Sequence, residues 1–205
     1  MKKYEYDILH PNYSEILKLV VHNSNVLDLG CGDGTLLKQL IDEKKVNGIG
    51  IEINQDNVIK SIHKGLSVIQ GNIDEGLADF SDFAMDYVIL NQTLQSTQKP
   101  DYVIQEMLRV GKKVILGFPN FAYWRIRTYL FFNGKMPKSN VLPYEWYDTP
   151  NIHLLTVRDF FDFCDVRNIT IEQSILMRRG KVIKSKFKRV FADIFAEDVI
   201  FVIHK

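Results

Sequence analysis

The chain of 205 residues has little cysteine, no excess of charge of either sign and no long hydrophobic run, and each shortage excludes something. Its two cysteines, Cys31 and Cys164, are too few for a disulfide-dense secreted scaffold and form no CxxC pair. Cys31 reads as a small residue within a glycine turn, and Cys164 as a core residue. Basic and acidic residues number 26 and 25, so no dominant field for nucleic acid or an anionic membrane surface is expected. The stretch RRGKVIKSKFKR, from Arg178 to Arg189, is followed by acidic residues and reads as a solvated linker or protein contact, not a phosphate-binding patch. No segment reaches the roughly 18 apolar residues of a membrane helix, because KKVILGFPNFAYW and TYLFFNG are both interrupted. The N-terminal MKKYEYDILHPNY lacks the apolar stretch of a secretion signal. A soluble cytoplasmic protein is expected. Zinc and calcium ligand spacings, a Walker loop and a serine elbow are missing too.

Apolar residues make up 46% of the chain, enough for one substantial core. A helix is expected over residues 14–21, SEILKLVV, and then VLDLGCGDGTLLKQL, residues 26–40, reads as strand, glycine turn and helix. Further strand signals follow in VNGIGIEI at 46–53, LSVIQG, MDYVILNQT and KKVILGFPN, with helical patterns at 54–63 and 100–110 between them. Residues 74–84 read as a turn-rich helix or irregular link. Alternation of this kind predicts a doubly wound α/β sheet with helices on both faces. It stops after Pro119. Residues 120–153, rich in aromatics and broken by Gly134, Pro137, Pro143 and Pro150, are expected to form a cap inserted within a single domain that spans 1–205. TVRDFFDFC reads as a helix, and ITIEQSILMR and EDVIFVIHK as a terminal pair of strands. The segment between those strands reads as a basic linker and an amphipathic helix.

Gly30, Gly32 and Gly34 give GxGxG rather than the dinucleotide spacing GxGxxG, and Glu52 follows about 20 residues later at the end of the second strand. A glycine turn that admits a ligand closely, with a carboxylate placed to accept two ribose hydroxyls, points to a nucleoside-containing cofactor. Asp33 is a candidate cap for the helix that starts near Thr35. Asn91, Gln92 and Leu94 follow the fourth strand and border the expected pocket. Phe121, Tyr123, Trp124, Tyr144, Trp146 and Tyr147 fit an acceptor pocket, a protein interface or a small core of the cap's own. Arg125 and Arg127 fit recognition of a carboxylate, and His153, near Glu145 and Asp148 in sequence, fits either acid–base chemistry or stabilisation of the cap.

DLGCGDGTLL, the acid in GIEIN, VIQGNID and NQTLQ together resemble the class I S-adenosylmethionine-dependent methyltransferase fold. LRVGKKVILGFPNFAYWRIR and LPYEWYDTPNIHLLTVRDF extend the resemblance, over nearly the whole chain, to the MetW family of methionine biosynthesis. The resemblance implies S-adenosyl-L-methionine or S-adenosyl-L-homocysteine as cofactor. Asp28 and Gly30, Gly32 and Gly34 would face its amino-acid portion, Glu52 its ribose, and Asn72 and Ile73 its adenine, with Asn91 near the reactive end. Many relatives carry an acid where Asn72 stands, and Asp74 is offset by two residues. The resemblance also implies a homoserine O-acyltransferase partner, met across the cap, where Tyr123, Trp124, Arg125, Tyr144, Trp146 and His153 are the candidate contacts. These same residues would border a small-molecule acceptor if the chain is instead a methyltransferase. A third reading is an interaction scaffold without catalysis.

Overall fold

The structure, a computed structural model, describes residues 12–139, 142–183 and 189–205. The expected polar N-terminus up to residue 11 and the centre of the basic stretch, 184–188, lie outside the described residues, as do 140–141. The first helix, α1 (Asn12–Leu19), starts two residues earlier than its apolar pattern suggests. Then come β1 (Asn25–Leu29), α2 (Thr35–Lys44), β2 (Asn47–Glu52), α3 (Gln55–His63) and β3 (Ser67–Gln70). A single 3-10 turn at 73–75 and an irregular link lead to β4 (Met85–Asn91), followed by a second 3-10 turn at 94–96, α4 (Pro100–Val110) and β5 (Gly111–Pro119). The rest comprises α5 (Trp124–Asn133), α6 (Val157–Val166), β6 (Thr170–Arg178), β7 (Lys181–Val182), α7 (Arg189–Phe195) and β8 (Asp198–His204).

The strands form one sheet in the order β3-β2-β1-β4-β5-β8-β6-β7. The first five are parallel, and β8, β6 and β7 continue it antiparallel. Parallel strands covered on both faces read as continuous apolar runs, which is why VLDL and YVIL carry so plain a signal. The period of two then sorts the side chains. Leu27, Leu29, Val88, Leu90, Leu116 and Phe118 face one core with α4 and α6, while Val26, Ile89 and Ile115 face the other with α1 and α2. Asp28 shares the parity of Val26 and therefore lies on the α1 face, buried. Lys181 and Val182, expected in a linker, instead pair with Met177 and Arg178 as a short edge hairpin.

Local chemistry fixes the element ends that matter for the site. Pro100 opens α4, where a missing N–H loses nothing, and Arg109 in its last turn ties the 77–82 link down. Its guanidinium donates to the Leu77 and Phe80 carbonyls and to Glu106 and Asp82. A reciprocal capping box between Thr156 and Asp159 starts α6. Between β5 and α6, Tyr123, Ile126 and Leu142 make a small separate cluster. It is tied down by Asn120, whose amide donates to the Asp193 and Ala196 carbonyls at 2.7 and 2.8 Å.

Candidate functional site

The sheet order reverses between β1 and β4, and open α/β sheets bind ligands outside the carboxyl ends of strands at such a point. Here a cleft of about 190 Å³ is lined by Gly30, Glu52, Asn72 and Ile73 together with Thr93, Ser96 and Thr97. Four of the sequence-predicted residues thus meet in one place. Asp28, Gly32, Gly34 and Asn91 lie outside that lining.

The three loop glycines have different surroundings. At Gly30, φ is +62° and a Cβ would meet the Thr93 side chain at 2.7 Å, so the loop can approach the 93–97 turn only without a side chain. Gly34, at φ +76°, packs on α3: a Cβ there would meet Leu66 Cδ1 at 2.3 Å and Ser61 Oγ at 2.8 Å. Gly32, at φ +57°, has open space around it. Its carbonyl accepts from Ser61 Oγ, and its N–H donates to Glu52 Oε2 at 2.8 Å. Glu52 Oε1 accepts from Asn54 N–H, also at 2.8 Å. The carboxylate therefore fixes the glycine loop from below, and each oxygen keeps a second acceptor position for a ligand hydroxyl.

Asp28 is 2% exposed, and its Oδ2 has no hydrogen-bond partner among the described residues. Burial, and then the negative charge of Glu52, push its carboxyl up to about 7. Burial, followed by the charges of Asp28 and Asp33, raises the Tyr13 phenol on α1 to about 12. Burial also raises the Cys31 thiol to about 12, and it stays a neutral packing group against Gly50. Gly34, and not Asp33, occupies the N-cap position of α2, without a side-chain bond; Asp33, one residue earlier, accepts from the Thr35 N–H and hydroxyl and from Lys64 Nζ. Although burial opposes it, those bonds hold Asp33 below the usual carboxylate range.

Around the cleft, Asn72 Oδ1 accepts from Asp74 N–H, and the Asp74 carboxylate accepts from the backbone of Gln98 and Lys99 at the start of α4. Asn91 turns away from the cleft: its Oδ1 accepts from Asn12 of α1, in space that Gly117 leaves by lacking a Cβ. Gln92, at φ +58°, reaches across to Asp198 of β8. Thr93, Ser96 and Thr97 were not singled out by sequence reasoning; the run of short polar residues after the apolar β4 was the available signal.

The remaining candidates lie elsewhere. Tyr123 is buried in the small cluster, whereas Trp124, Tyr144, Trp146 and Tyr147 are exposed. Arg125 stacks over Trp124, and Arg127, expected to recognise a carboxylate, finds one within the chain at Asp193. His153 is not joined to its sequence neighbours: Glu145 pairs with Lys138, Asp148 accepts from Glu145 N–H, and the His153 N–H donates to the Gln95 carbonyl. Among the described residues no group of three or more acidic, histidine or cysteine side chains could hold a metal, and no helix is long and apolar enough to cross a membrane.

The sequence profile of the family "Methionine biosynthesis protein MetW" matches residues 10–203. The chain belongs to the MetW family. A curated relative, the bifunctional methionine biosynthesis protein MetXA/MetW of Rhodopirellula baltica, is 35% identical over 176 residues. The match takes in 82% of this chain and 28% of that protein, so the chain spans little more than a quarter of the relative's length. Among solved structures, an S-adenosylmethionine-dependent methyltransferase of Mesorhizobium loti superposes with a TM-score of 0.69 at 11% identity, covering 95% of this chain and 98% of the other. One from Aquifex aeolicus gives 0.62 at 14% identity, covering 94% and 88%. At such identities the likeness is one of fold, and it places this MetW-family chain in the class I methyltransferase architecture.

Proposed function

We propose that this MetW-family protein binds S-adenosyl-L-methionine or S-adenosyl-L-homocysteine in the switch-point cleft and supports a homoserine O-acyltransferase in methionine biosynthesis. The observation that carries the ligand half is the mutual bracing of Glu52 and the glycine loop beside an open Gly32, which keeps the cleft ready before a ligand arrives. The residues suit such a molecule. Glu52 would accept from the ribose hydroxyls, Gly30 would admit the amino-acid portion, with the open Gly32 next in the loop, and Asn72 and Ile73 would border the adenine. Asp28 lies buried outside the cleft lining, so its carboxylate would favour the ligand's cationic end through charge and not contact, and that cation would in turn hold Asp28 ionised. S-adenosylmethionine brings an electrophilic methyl group, but the proposed role needs binding and not transfer. The partner half is supported by the relative of Rhodopirellula baltica, named for a MetXA and a MetW function in one chain, with MetXA read as the acyltransferase.

Titration calorimetry with S-adenosylmethionine, followed by the acyltransferase in the same cell, tests both halves. Saturable ligand heat that weakens at least about tenfold in Glu52→Ala, the size of a lost charged hydrogen bond, is expected, with a thermal melt confirming that the variant is folded. A partner signal should follow. Absence of ligand heat at several temperatures from folded protein would overturn the ligand half. Steady formation of S-adenosylhomocysteine with a methylated small molecule would replace the partner reading with that of a methyltransferase.

A further inference from the structure

Two depressions adjoin on the far side of the 93–97 turn. The larger, about 460 Å³, lies between that turn, α4 and α6, with Leu94, Ile104, Phe160 and Phe163 as apolar walls and the Asp101–Arg167 ion pair at its rim. The smaller lies within the 120–153 segment, among Phe121, Met136, Leu142 and Trp146. Leu154 lines both and is 60% exposed, so it forms the saddle between them. An apolar floor with a charged rim is the anatomy of a protein docking site. The floor is also incompletely bonded, since buried Gln95 Oε1 and His153 Nε2 have no hydrogen-bond partners among the described residues.

We propose that this pair of grooves, straddling Leu154, is the seat of the homoserine O-acyltransferase, which inserts an apolar side chain on either side of the saddle. The inference rests on the partner reading above, which supplies the occupant. The location follows from the fold. The Gln95 carbonyl accepts from Ile152 and His153 N–H at 2.8 and 3.0 Å, while Thr93, Ser96 and Thr97 of the same turn line the ligand cleft. Groove and cleft share a wall, as a ligand-responsive partner site requires. A second copy of the chain is the rival occupant, because α5 offers a protruding pair, Phe131 and Phe132, exposed to 82% and 79%. That pair does not match itself and a groove at once, so such a contact runs head to tail and need not close.

The test is biolayer interferometry of the full chain against purified homoserine O-acyltransferase from the same organism. Leu154→Asp is expected to raise Kd at least about twentyfold, the scale of a central interface residue. Leu154→Met should stay within about threefold, and a Phe131→Ser, Phe132→Ser double variant should bind like the wild type. Leu154 is exposed, so melting temperatures should stay level across the set. Unchanged binding by Leu154→Asp overturns the location alone, as does loss of binding only in the α5 variant. If the wild-type chain fails to bind the acyltransferase, the partner reading falls and takes the location with it. Self-association abolished by Leu154→Asp would assign the grooves to a second copy instead.

Discussion

Asp198 provides a sharp test of how the sheet's carboxyl edge is held together. It opens β8, is buried, and accepts from Gln92 Nε2 at 3.0 Å and from Val199 N–H at 2.9 Å, with Asn12 as a further partner. Burial nevertheless outweighs these donors, and with a smaller push from Glu197 it raises the carboxyl from 3.8 to about 7. Between those values the folded chain keeps a proton that the unfolded chain has released, so stability falls as pH rises through the interval and levels off above it. Roughly three pH units at 1.36 kcal/mol each set a ceiling of about 4 kcal/mol. Asp198→Asn removes the titration and keeps an acceptor for Gln92 and Val199. Its stability relative to wild type should be near zero at pH 4 and should grow by several kcal/mol, up to that ceiling, by pH 8. Asp28, also raised to about 7, contributes the same slope to both proteins and cancels in the comparison. Urea denaturation at pH 4, 5.5, 7 and 8 measures it. A gap that is constant with pH, or that shrinks, would refute the reasoning.

Gly32→Ala should lose ligand heat while destabilising the fold by only about 1–2 kcal/mol, the penalty of a left-handed alanine with open space around it. Gly34→Ala carries the same penalty plus the Leu66 and Ser61 clashes, so urea melts should place it clearly below Gly32→Ala. Asn120→Ala strips two donated bonds and the acceptor for Ala122 and Val157 N–H from a fully buried position, at about 3 kcal/mol. Hydrogen exchange should then speed up at Tyr123 and Ile126 while β1 and β4 remain protected.

Sequence made some of this legible and left the rest hidden for physical reasons. β1, β4 and β5 could be read because strands buried on both faces must be continuously apolar, and the place of Glu52 at the end of β2 beside the glycine loop because strand, turn and acid follow one another locally. β7 could not, since two residues carry no period. α5 shows no readable face, because WRIRTYLFFN mixes arginines and polar residues with apolar ones around the helix and only Ile126 in it is buried. The Gln92–Asp198 bond joins residues 106 apart, and Arg127 finds Asp193 at a separation of 66; no local pattern announces either. Adjacency misled as well, for His153 stands near Glu145 and Asp148 in sequence and is bonded to the β4–α4 turn instead.

That turn is where ligand and partner readings meet, and its construction determines how tightly they are joined. Ser96 N–H donates to the Thr93 carbonyl, Thr97 N–H and hydroxyl donate to that of Leu94, and Gln95 Nε2 donates to that of Gln92. These bonds brace residues 93–97 internally. Thr93, Ser96 and Thr97 line the cleft while Leu94 and Gln95 of the same turn line the groove, so a shift of the turn on one side would be felt on the other. Packed interiors answer small displacements by switching between arrangements and not by bending continuously. On the proposed reading, a ligand seated against Thr93, Ser96 and Thr97 would therefore favour one position of the groove floor. Whatever factor the ligand then applied to the partner's affinity, the partner would return to the ligand's, because both would act on one equilibrium.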